Sequence, residues 1–312
     1  MEDKIFKKLK EELPIAQKGV LLKDYTTFQI GGPAKYFFIA ETNEDLIKAV
    51  KIAKKLKLPI FILGGGSNIL VSDKGFNGLV IRIQNSEEPY GEQAARILNS
   101  KNIFVSAGMT LSGLASLAGE NAFKGFEWCS GIPGATVGGA IFGHAQAFGD
   151  KISDSVEYIE ALDMKTSKIK KLLKKQCKFS LKSSIFKKNK NLIILSVIFS
   201  PERGDKKKVQ KKIKEFLNYR KNNHPIQFPS AGSVFINPEI KGEVIRAGQL
   251  IEKAGLKGKK IGGAQISELH ANFIINLGNA KAKDVLALIR LAQKKVKEKF
   301  GILLETEIQI IK

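Results

Sequence analysis

The sequence contains little cysteine and no long apolar run, and each shortage excludes a class of protein. Only two of the 312 residues are cysteine, Cys129 and Cys177, and their spacing matches neither a zinc motif nor a disulfide framework. The first residues, MEDKIFKKLKEELP, are charged and lack the apolar centre of a signal peptide. The apolar stretch around NLIILSVIF is too short to span a bilayer. We therefore expect a cytoplasmic protein with no metal site and no membrane partner.

Acidic residues are also scarce relative to basic ones, with 30 Asp and Glu against 52 Lys and Arg, which gives a formal net charge of +22. A nucleic-acid-binding protein concentrates such charge on one face, whereas an enzyme with a lysine-rich surface spreads it. The lysines here occur along the whole chain, and no basic tail or zinc-finger spacing is present. This pattern favours an enzyme without a nucleic-acid partner, and a basic nucleic-acid-binding protein remains the alternative.

The periodicity of apolar residues predicts helices and strands along the whole chain, with one clear boundary. The predicted helices are 3–13, 43–57 with Asn43 as N-cap, 110–121, 206–221, the segment AGQLIEKAG, and 281–300 ending at Gly301. The predicted strands are KYFFIAE, PIFIL, 79–83, 103–106, 156–162, 169–172, 192–199 and the final segment ILLETEIQII. In that final strand, alternation places Glu305 and Glu307 on one face. The polar segment SPERGDKKK predicts a domain boundary between residues 203 and 204.

Two glycine-rich segments are candidates for binding a phosphorylated ligand. LGGGSN, residues 63–68, directly follows a predicted strand, and its glycines allow backbone N–H groups to approach an anion. It matches neither the dinucleotide fingerprint of a Rossmann fold nor a Walker loop. SGIPGATVGGA, residues 130–140, is a second loop of this kind. Two such loops in one domain favour a diphosphate ligand, and a flexible loop is the alternative explanation for either one.

Ser233, in the segment PSAGSVFINP, has several explanations from the residues alone. It could be a turn residue, a nucleophile or a proton donor. A serine nucleophile needs a neighbouring base, and the chain has only three histidines, His144, His224 and His270, with no G-x-S-x-G motif around Ser233.

Seven segments in order resemble the UDP-N-acetylenolpyruvoylglucosamine reductase family, in its shorter subclass. They are TTFQIGGPA, LGGGSNILVSDKGFNG, SGIPGATVGGA, PSAGSVFINP, AGQLIEKAGLKG, GGAQISELHANFIIN and LETEI, and the resemblance extends over nearly the whole chain, from about Thr26 to Ile310. The resemblance implies an α+β fold. It consists of a two-lobed FAD-binding domain of the vanillyl-alcohol-oxidase type in residues 1–203, split near residue 85, and a C-terminal α+β substrate domain in residues 204–312. The last strand of the substrate domain is expected to return toward the flavin site.

The resemblance also implies an activity. The family reduces UDP-N-acetylglucosamine enolpyruvate to UDP-N-acetylmuramate, for peptidoglycan synthesis, with NADPH as hydride donor. The hydride passes through FAD and leaves from flavin N5, and a serine supplies the proton. The expected partners are therefore the UDP-sugar substrate and NADPH, and we expect a monomer.

Residue by residue, the resemblance assigns a catalytic, an FAD-binding and a substrate-binding set. The implied catalytic residues are Ser233 as proton donor, Glu307, and Lys182 at a position where the family has arginine. The implied substrate-binding residues are Asn237 and His270. The implied FAD-binding residues are Gly64, Gly65, Gly66, Ser67, Asn68, Gly131, Ile132, Gly134, Val137, Gly138 and Gly139.

Several positions depart from the family pattern. Lys182 lacks the planar two-pronged group of arginine, and Leu181 stands where tyrosine is usual. His144 and Gln146 replace asparagine and glycine, and Ile236 replaces a common lysine. These departures leave open a second interpretation, a flavin-binding homologue that has lost the reaction.

Overall fold

Helices and strands are distributed along the whole chain in this computed structural model, which describes residues 3–84, 94–99 and 101–312. The helices are α1 (Lys4–Glu12), α2 (Asn43–Lys55), α3 (Leu111–Glu120), α4 (Val137–Gly143), α5 (Ile185–Lys188), α6 (Lys206–Asn223), α7 (Ala247–Lys253) and α8 (Ala282–Phe300). The strands are β1 (Gln17–Leu21), β2 (Pro33–Ala40), β3 (Ile60–Leu63), β4 (Ile69–Val71), β5 (Phe76–Ile83), β6 (Ala95–Ile97), β7 (Ile103–Ser106), β8 (Gln146–Ala147), β9 (Asp150–Lys151), β10 (Val156–Asp163), β11 (Lys168–Leu173), β12 (Leu192–Phe199), β13 (Ser230–Ser233), β14 (Glu239–Ile240), β15 (Glu243–Val244), β16 (Lys260–Ile261), β17 (Ala264–Ile266), β18 (Phe273–Asn276) and β19 (Gln309–Ile311). Short 3-10 helices cover Leu22–Tyr25, Glu127–Cys129 and Lys174–Cys177. The predicted lobe boundary near residue 85 lies outside the described residues.

The start of α2 corrects one sequence prediction. The N-cap is Thr42 and not Asn43, because the Thr42 hydroxyl accepts a hydrogen bond from the Asp45 N–H at 3.1 Å. The Asp45 carboxylate in turn accepts from the Thr42 N–H at 3.2 Å. Both residue types are good caps, but only Thr42 stands three residues before an acidic residue that completes the capping box.

The C-terminal segment corrects another prediction. Helix α8 ends at Gly301, which has a left-handed φ of 72°, as expected. The following strand is much shorter than predicted, because only β19 and an isolated bridge at Thr306 pair with other segments. Ile310, which alternation places on the face opposite Glu305 and Glu307, is exposed. Alternation is present in the sequence, but the length of a strand is decided by the segments available for backbone pairing.

The chain divides into two compact units by its internal contacts. The first unit comprises Met1–Gly19, Lys35–Gly65 and Asn77–Asn218, and the second comprises Val20–Ala34, Gly66–Phe76 and Tyr219–Lys312. These contact units do not coincide with the predicted boundary at residue 203, because segments near the N-terminus are grouped with the C-terminal part. The functional domains 1–203 and 204–312 therefore stay a prediction.

The first unit contains two sheets and two apolar cores. Its five-stranded sheet has the order β11-β10-β12-β7-β6, and a four-stranded sheet with the order β1-β2-β5-β3 lies almost wholly within the unit. One core is built mainly from residues 9–81, including Tyr36 and Leu46, and the other mainly from residues 95–199, including Trp128 and Phe186. This unit contains the second glycine-rich segment, residues 130–140, and the beginning of the first, up to Gly65.

The second unit has one core, which packs α7 and α8 against a small antiparallel sheet. The sheet order is β13-β18-β17-β16, and its buried side chains include Phe235, Ile274 and Leu288. Strand β19 pairs in parallel with β4, which immediately follows the loop at residues 64–68. Among the residues that the structure describes, no helix has both the length and the apolar character needed to cross a membrane.

Candidate functional site

The first glycine loop (residues 64–68) begins in the first unit, where it touches the second glycine loop (residues 130–140). A Cβ atom on Gly65 would collide with the carbonyl oxygen of Gly134. A Cβ atom on Gly64 would lie 2.5 Å from the hydroxyl of Thr136. The sequence predicted that glycines here allow a ligand to approach. The structure adds that Gly65 is needed for the two loops to approach each other.

The same two loops present unused backbone donors. Four backbone N–H groups donate no hydrogen bond to any described residue: those of Gly65, Gly131, Ile132 and Gly134. Backbone N–H groups need a partner unless water reaches them, so a cluster of unused donors suits an anion. This part of the first unit therefore fits the diphosphate of an FAD molecule.

The remaining predicted FAD residues of the second loop have a different environment. The Val137 N–H donates to the Met109 carbonyl and the Gly138 N–H to the Ala107 carbonyl, both at 2.8 Å. The Gly139 N–H donates to the Thr136 hydroxyl at 3.3 Å. Val137 is fully buried, so only Gly138 and Gly139 offer surface for close approach, and none of the three offers a free backbone donor.

The end of the first glycine loop belongs to the second unit. Gly66 is buried, and its carbonyl accepts from the Thr27 N–H at 3.3 Å. Ser67 is half-buried. The Asn68 carbonyl accepts from the Gln309 N–H at 3.0 Å, and the Asn68 side-chain amide donates to the Glu307 carbonyl at 3.4 Å. Asn68 therefore connects this loop to the segment that carries Glu307.

Ser233 lies at the end of β13, directly after an irregularity in the strand. Pairing with β18 shifts between Ser230, opposite Ile275, and Ser233, opposite Phe273, so three steps on β13 match two on β18. Gly232 accommodates this bulge with a left-handed φ of 72°. The Ser233 side chain is half-buried, and its hydroxyl has no hydrogen-bond partner among the described residues. A bulge of this kind directs the next side chain away from regular pairing.

Glu307 lies on the neighbouring segment. Its backbone N–H donates to the Val234 carbonyl at 2.8 Å, one residue beyond Ser233. An isolated antiparallel bridge joins Phe235 to Thr306. Glu307 is half-buried whereas Glu305 is exposed, although alternation placed them on one face. The structure thus brings Ser233 and Glu307 onto adjacent segments of the second unit.

Lys182 lies in the first unit, at the tip of a tight hairpin. Ser180 and Ser183 exchange backbone hydrogen bonds at 3.0 and 3.1 Å, which leaves Leu181 and Lys182 as the two turn residues. Lys182 has a φ of 52°, and Leu181 is exposed. His144 holds the base of this hairpin: its Nδ1 lies 2.6 Å from the Ser180 carbonyl oxygen, so Nδ1 is the protonated nitrogen.

His270 and Asn237, the predicted substrate residues, are in the second unit. Burial, followed by the charges of Lys257 and Arg246, lowers the pKa of His270. Its Nδ1 accepts from the Asn272 N–H at 3.2 Å, so the neutral ring carries its proton on Nε2. Asn237 is exposed, and its side-chain oxygen accepts from the Ala247 N–H at 3.0 Å, which leaves its amide nitrogen as the available donor.

Two residues that lie beside predicted site residues, one near His270 and one near Gly64, were not selected from the sequence. Lys257, in the quoted segment AGLKG, is near enough to His270 to lower its pKa, and it pairs with Glu252 at 2.9 Å. Thr136 is buried, and its hydroxyl caps α4 beside Gly64. A lysine between two glycines and a threonine before a helix were available signals, but neither pattern alone distinguishes a site from a turn.

Comparisons with known proteins agree on one family. Residues 34–172 match the family model described as "FAD binding domain", and residues 224–311 match the model "UDP-N-acetylenolpyruvoylglucosamine reductase, C-terminal domain". The chain is 42% identical over 316 residues to a UDP-N-acetylenolpyruvoylglucosamine reductase from Caldanaerobacter subterraneus subsp. tengcongensis, covering 100% of this chain and 99% of the relative. It is 39% identical over 313 residues to the reductase of that name from Alkaliphilus oremlandii, covering 99% and 98%.

A solved structure leads to the same result. The crystal structure of UDP-N-acetylenolpyruvylglucosamine reductase from Thermus caldophilus superposes with a TM-score of 0.77 at 33% identity, covering 95% of this chain and 98% of that one. The α+β fold with an FAD-binding domain and a C-terminal domain is therefore confirmed, as is FAD as the cofactor. Because the similarity extends over the full length of the relatives, the chain belongs to the UDP-N-acetylenolpyruvoylglucosamine reductase family.

Proposed function

We propose that this chain reduces UDP-N-acetylglucosamine enolpyruvate to UDP-N-acetylmuramate, a peptidoglycan precursor, in the cytoplasm. NADPH is the proposed hydride donor. The proposal is supported by relatives that are named for this reductase activity and are 42% and 39% identical to the chain over nearly its full length. The structural observation that carries it is the Ser233 hydroxyl, which follows a strand bulge, has no partner among the described residues and lies one segment away from Glu307.

The proposed FAD site uses the unused backbone donors of the two glycine loops. The residues proposed to hold FAD are Gly64, Gly65, Gly66, Ser67, Asn68, Gly131, Ile132, Gly134, Val137, Gly138 and Gly139. Gly65, Gly131, Ile132 and Gly134 would donate to the diphosphate, and the other residues would line the cofactor. When bound, FAD supplies the transfer of a hydride between NADPH and the substrate.

Ser233 is proposed to supply the proton of the reaction. Hydride addition to the terminal carbon of the enol ether places negative charge on the carbon beside the carboxylate. The Ser233 hydroxyl donates its proton to that carbon, and solvent restores the proton on Oγ. A neutral hydroxyl is a weak acid, but an enolate carbon is a strong base, so no histidine partner is required.

Two further side chains would stabilise the same charge. Glu307 would polarise the enolpyruvyl unit by hydrogen bonding. Lys182 would place a positive charge near the substrate carboxylate, although a lysine offers a point charge instead of the planar fork of arginine. Both roles follow the family pattern.

The proposed sugar-nucleotide contacts lie in the second unit. The pKa of His270 is lowered in part by the charges of Arg246 and Lys257, so two cations lie close enough to act on the same ring. Such a cluster suits a diphosphate. Neutral His270 would donate from Nε2, and Asn237 would donate from its side-chain amide.

A direct assay tests this proposal. The purified protein should release FAD on denaturation, and in the absence of oxygen it should oxidise more than one equivalent of NADPH per flavin only when the enolpyruvyl sugar is present. Mass spectrometry of the product should show a gain of two hydrogens. UDP-N-acetylglucosamine, which lacks the enolpyruvyl group, is the matched control and should not stimulate oxidation.

A second candidate is a flavin-binding homologue without this activity. It is favoured by Lys182, Gln146 and Ile236, which differ from the family pattern, and Gln146 lies in β8 paired with Lys151. This candidate predicts bound FAD, reduction by NADPH, and no reoxidation by the enolpyruvyl sugar in the absence of oxygen. The same assay therefore separates the two candidates.

A further inference from the structure

Asn272 makes an unusual set of contacts with the two residues that follow Ser233. Its side-chain oxygen accepts from the Phe235 N–H at 3.0 Å, and its side-chain amide donates to the Phe235 carbonyl at 2.9 Å. Its backbone carbonyl accepts from the Val234 N–H at 2.8 Å. One residue thus provides three hydrogen bonds to the segment directly after Ser233, and its side chain is only 4% exposed.

The strand needs such an anchor at this position. Regular pairing between β13 and β18 is interrupted by the bulge at Gly232, so the ladder before Ser233 does not fix the orientation of the residues after it. On the side of Phe235 opposite its bridge to Thr306, pairing with β18 has ended, and there the Asn272 side chain takes the place of a strand partner. The position of the Ser233 hydroxyl therefore depends on a contact two residues further along the chain.

The anchored segment also carries the contacts to Glu307. The Val234 carbonyl accepts from the Glu307 N–H at 2.8 Å, and the Ile236 N–H donates to the Glu305 carbonyl at 2.9 Å. Val234 is therefore bonded to Asn272 through its N–H and to Glu307 through its carbonyl. Asn272 therefore holds the strand that carries Ser233 against the segment that carries Glu307.

We propose that Asn272 is a positioning residue for proton transfer from Ser233, which it orients through the Phe235 backbone without touching the substrate. This inference rests on the proposed function. Displacement of a reacting group by about 1 Å is enough to cost on the order of 100-fold in rate. Loss of the Asn272 side chain should therefore slow the step in which a carbon is protonated and leave the step before it unchanged.

The test replaces the Asn272 side chain by an apolar one of similar size, Asn272→Leu. Flavin reduction by NADPH and anaerobic reoxidation by the enolpyruvyl sugar are measured separately by stopped flow. We expect reoxidation to slow by at least tenfold and reduction to remain within twofold. If Asn272→Leu does not fold, the second variant is Asn272→Gln, which keeps the amide but adds one methylene. It should show the same selective loss.

Asn276→Leu is the matched control. Asn276 is the last residue of β18, the strand that begins directly after Asn272, and it is 2% exposed. It also bonds backbone groups: its amide donates to the Phe28 carbonyl at 3.0 Å, and its oxygen accepts from the N–H groups of Gly278 and Ala280. Its substitution should lower the melting temperature but change neither half-reaction. Hydrogen exchange at the Phe235 amide should accelerate in Asn272→Leu and not in Asn276→Leu.

Combination with Ser233→Ala gives the decisive comparison. If Asn272 acts through Ser233, adding Asn272→Leu to Ser233→Ala should change reoxidation by less than twofold. Independent losses that multiply, equal losses in both half-reactions, or unchanged reoxidation in Asn272→Leu would each overturn the proposal. Failure of the wild-type protein to react with the enolpyruvyl sugar would instead overturn the proposed function, and this inference with it.

Discussion

Ser233 is the residue whose substitution should divide the reaction into two parts. Ser233→Ala removes the proposed proton donor, so reoxidation of the flavin by the enolpyruvyl sugar should slow by roughly 100- to 10,000-fold. Reduction by NADPH protonates no carbon and should remain near the wild-type rate. Stopped-flow absorbance of each half-reaction measures both effects.

Ser230→Ala is the control for this prediction. Ser230 is on the same strand and half-buried, and it contacts Thr27 through its backbone. Its carbonyl accepts from the Thr27 hydroxyl at 2.7 Å, and its N–H donates to the Thr27 carbonyl at 3.1 Å. The Ser230 variant should react at the wild-type rate in both steps. Equal losses in both steps for Ser233→Ala would mean that Ser233 is structural.

Lys182 allows a test of charge at a position that departs from the family. Lys182→Met should lower kcat by about 10- to 100-fold, less than a buried donor would because the residue is half-buried. Lys182→Arg should retain or raise kcat, and FAD content should not change in either variant. Lys178→Met, which removes an exposed lysine four residues earlier, is the control. Normal turnover in Lys182→Met would assign the charge to another residue.

For single residues, the sequence indicates which side chains can carry chemistry but not how they are arranged in space. Ser233 and Glu307 were selected because their segments match a family, and the structure places them on adjacent segments. The three hydrogen bonds from Asn272 were not predictable, because an asparagine 39 residues away is indistinguishable from a turn residue until both segments are folded. Residue type shows what a side chain can donate but not which backbone group receives it.

The two glycine loops give a prediction at the scale of the element. Gly65→Ala adds a single Cβ atom that would collide with the Gly134 carbonyl, so the loops must separate. We expect the purified variant to carry less than half the FAD of the wild type, as measured by the ratio of flavin to protein absorbance. Gly143→Ala is the control, because a Cβ there meets no atom within 4 Å. Full FAD content in Gly65→Ala would contradict the loop contact.

The N-terminus of α8 gives a second prediction for an element. Asp73 accepts from the Ala282 N–H at 2.8 Å and from the Lys283 N–H at 3.1 Å, and so caps a helix that starts more than 200 residues later. Asp73→Ala should lower the free energy of unfolding by about 1 kcal/mol, the typical value for an N-cap. Urea titration followed by circular dichroism measures the change.

Asp24→Ala is the control for the cap. The Asp24 carboxylate has no hydrogen-bond partner among the described residues, so its removal changes the net charge by the same amount without removing a cap. If both variants lose equal stability, the effect of Asp73 is one of charge and not of capping.

Elements with strong local signals were predicted well, and those decided by distant partners were not. Helix α2 was predicted from its apolar spacing, with an error of one residue at the cap. The cap of α8 by Asp73 and the short length of β19 depend on segments far away in sequence. Local periodicity contains no information about such partners.

The whole molecule combines a net charge of +22 with two histidines, His224 and His270, whose pKa values are lowered. Burial, then the charges of Arg220 and His270, lowers the pKa of His224 from 6.5 to about 4. The pKa of His270 is also lowered. The ring of His224 lies 6.0 Å from that of Tyr219 and 5.1 Å from that of Phe273, so its surroundings are largely aromatic.

These shifts predict a loss of stability in mildly acidic solution. The unfolded chain protonates His224 near pH 6.5, but the folded chain does so only near pH 4. Its stability contribution is therefore fully present above pH 6.5 and is lost as the pH falls from 6.5 to 4. The slope per histidine cannot exceed about 1.4 kcal/mol per pH unit, and it should be smaller for this half-buried ring.

The carboxylate of Asp3 affects stability in a lower and separate range of pH. The backbone hydrogen bond from Phe6, with help from Lys18, lowers the pKa of Asp3 from 3.8 to about 2. The stability that Asp3 contributes is present above pH 3.8 and is lost between pH 3.8 and 2. A variant of each residue should therefore flatten a different part of the stability profile.

The test compares urea midpoints at closely spaced pH values for the wild type, His224→Phe and Asp3→Asn. His224→Phe keeps an aromatic ring among Tyr219 and Phe273 but cannot titrate, so its midpoint should fall less steeply than that of the wild type between pH 6.5 and 4. Asp3→Asn should follow the wild-type slope in that range and differ only below about pH 4. A parallel decline of wild type and His224→Phe would show that repulsion among the many lysines, and not the buried histidine, destabilises the protein in acid.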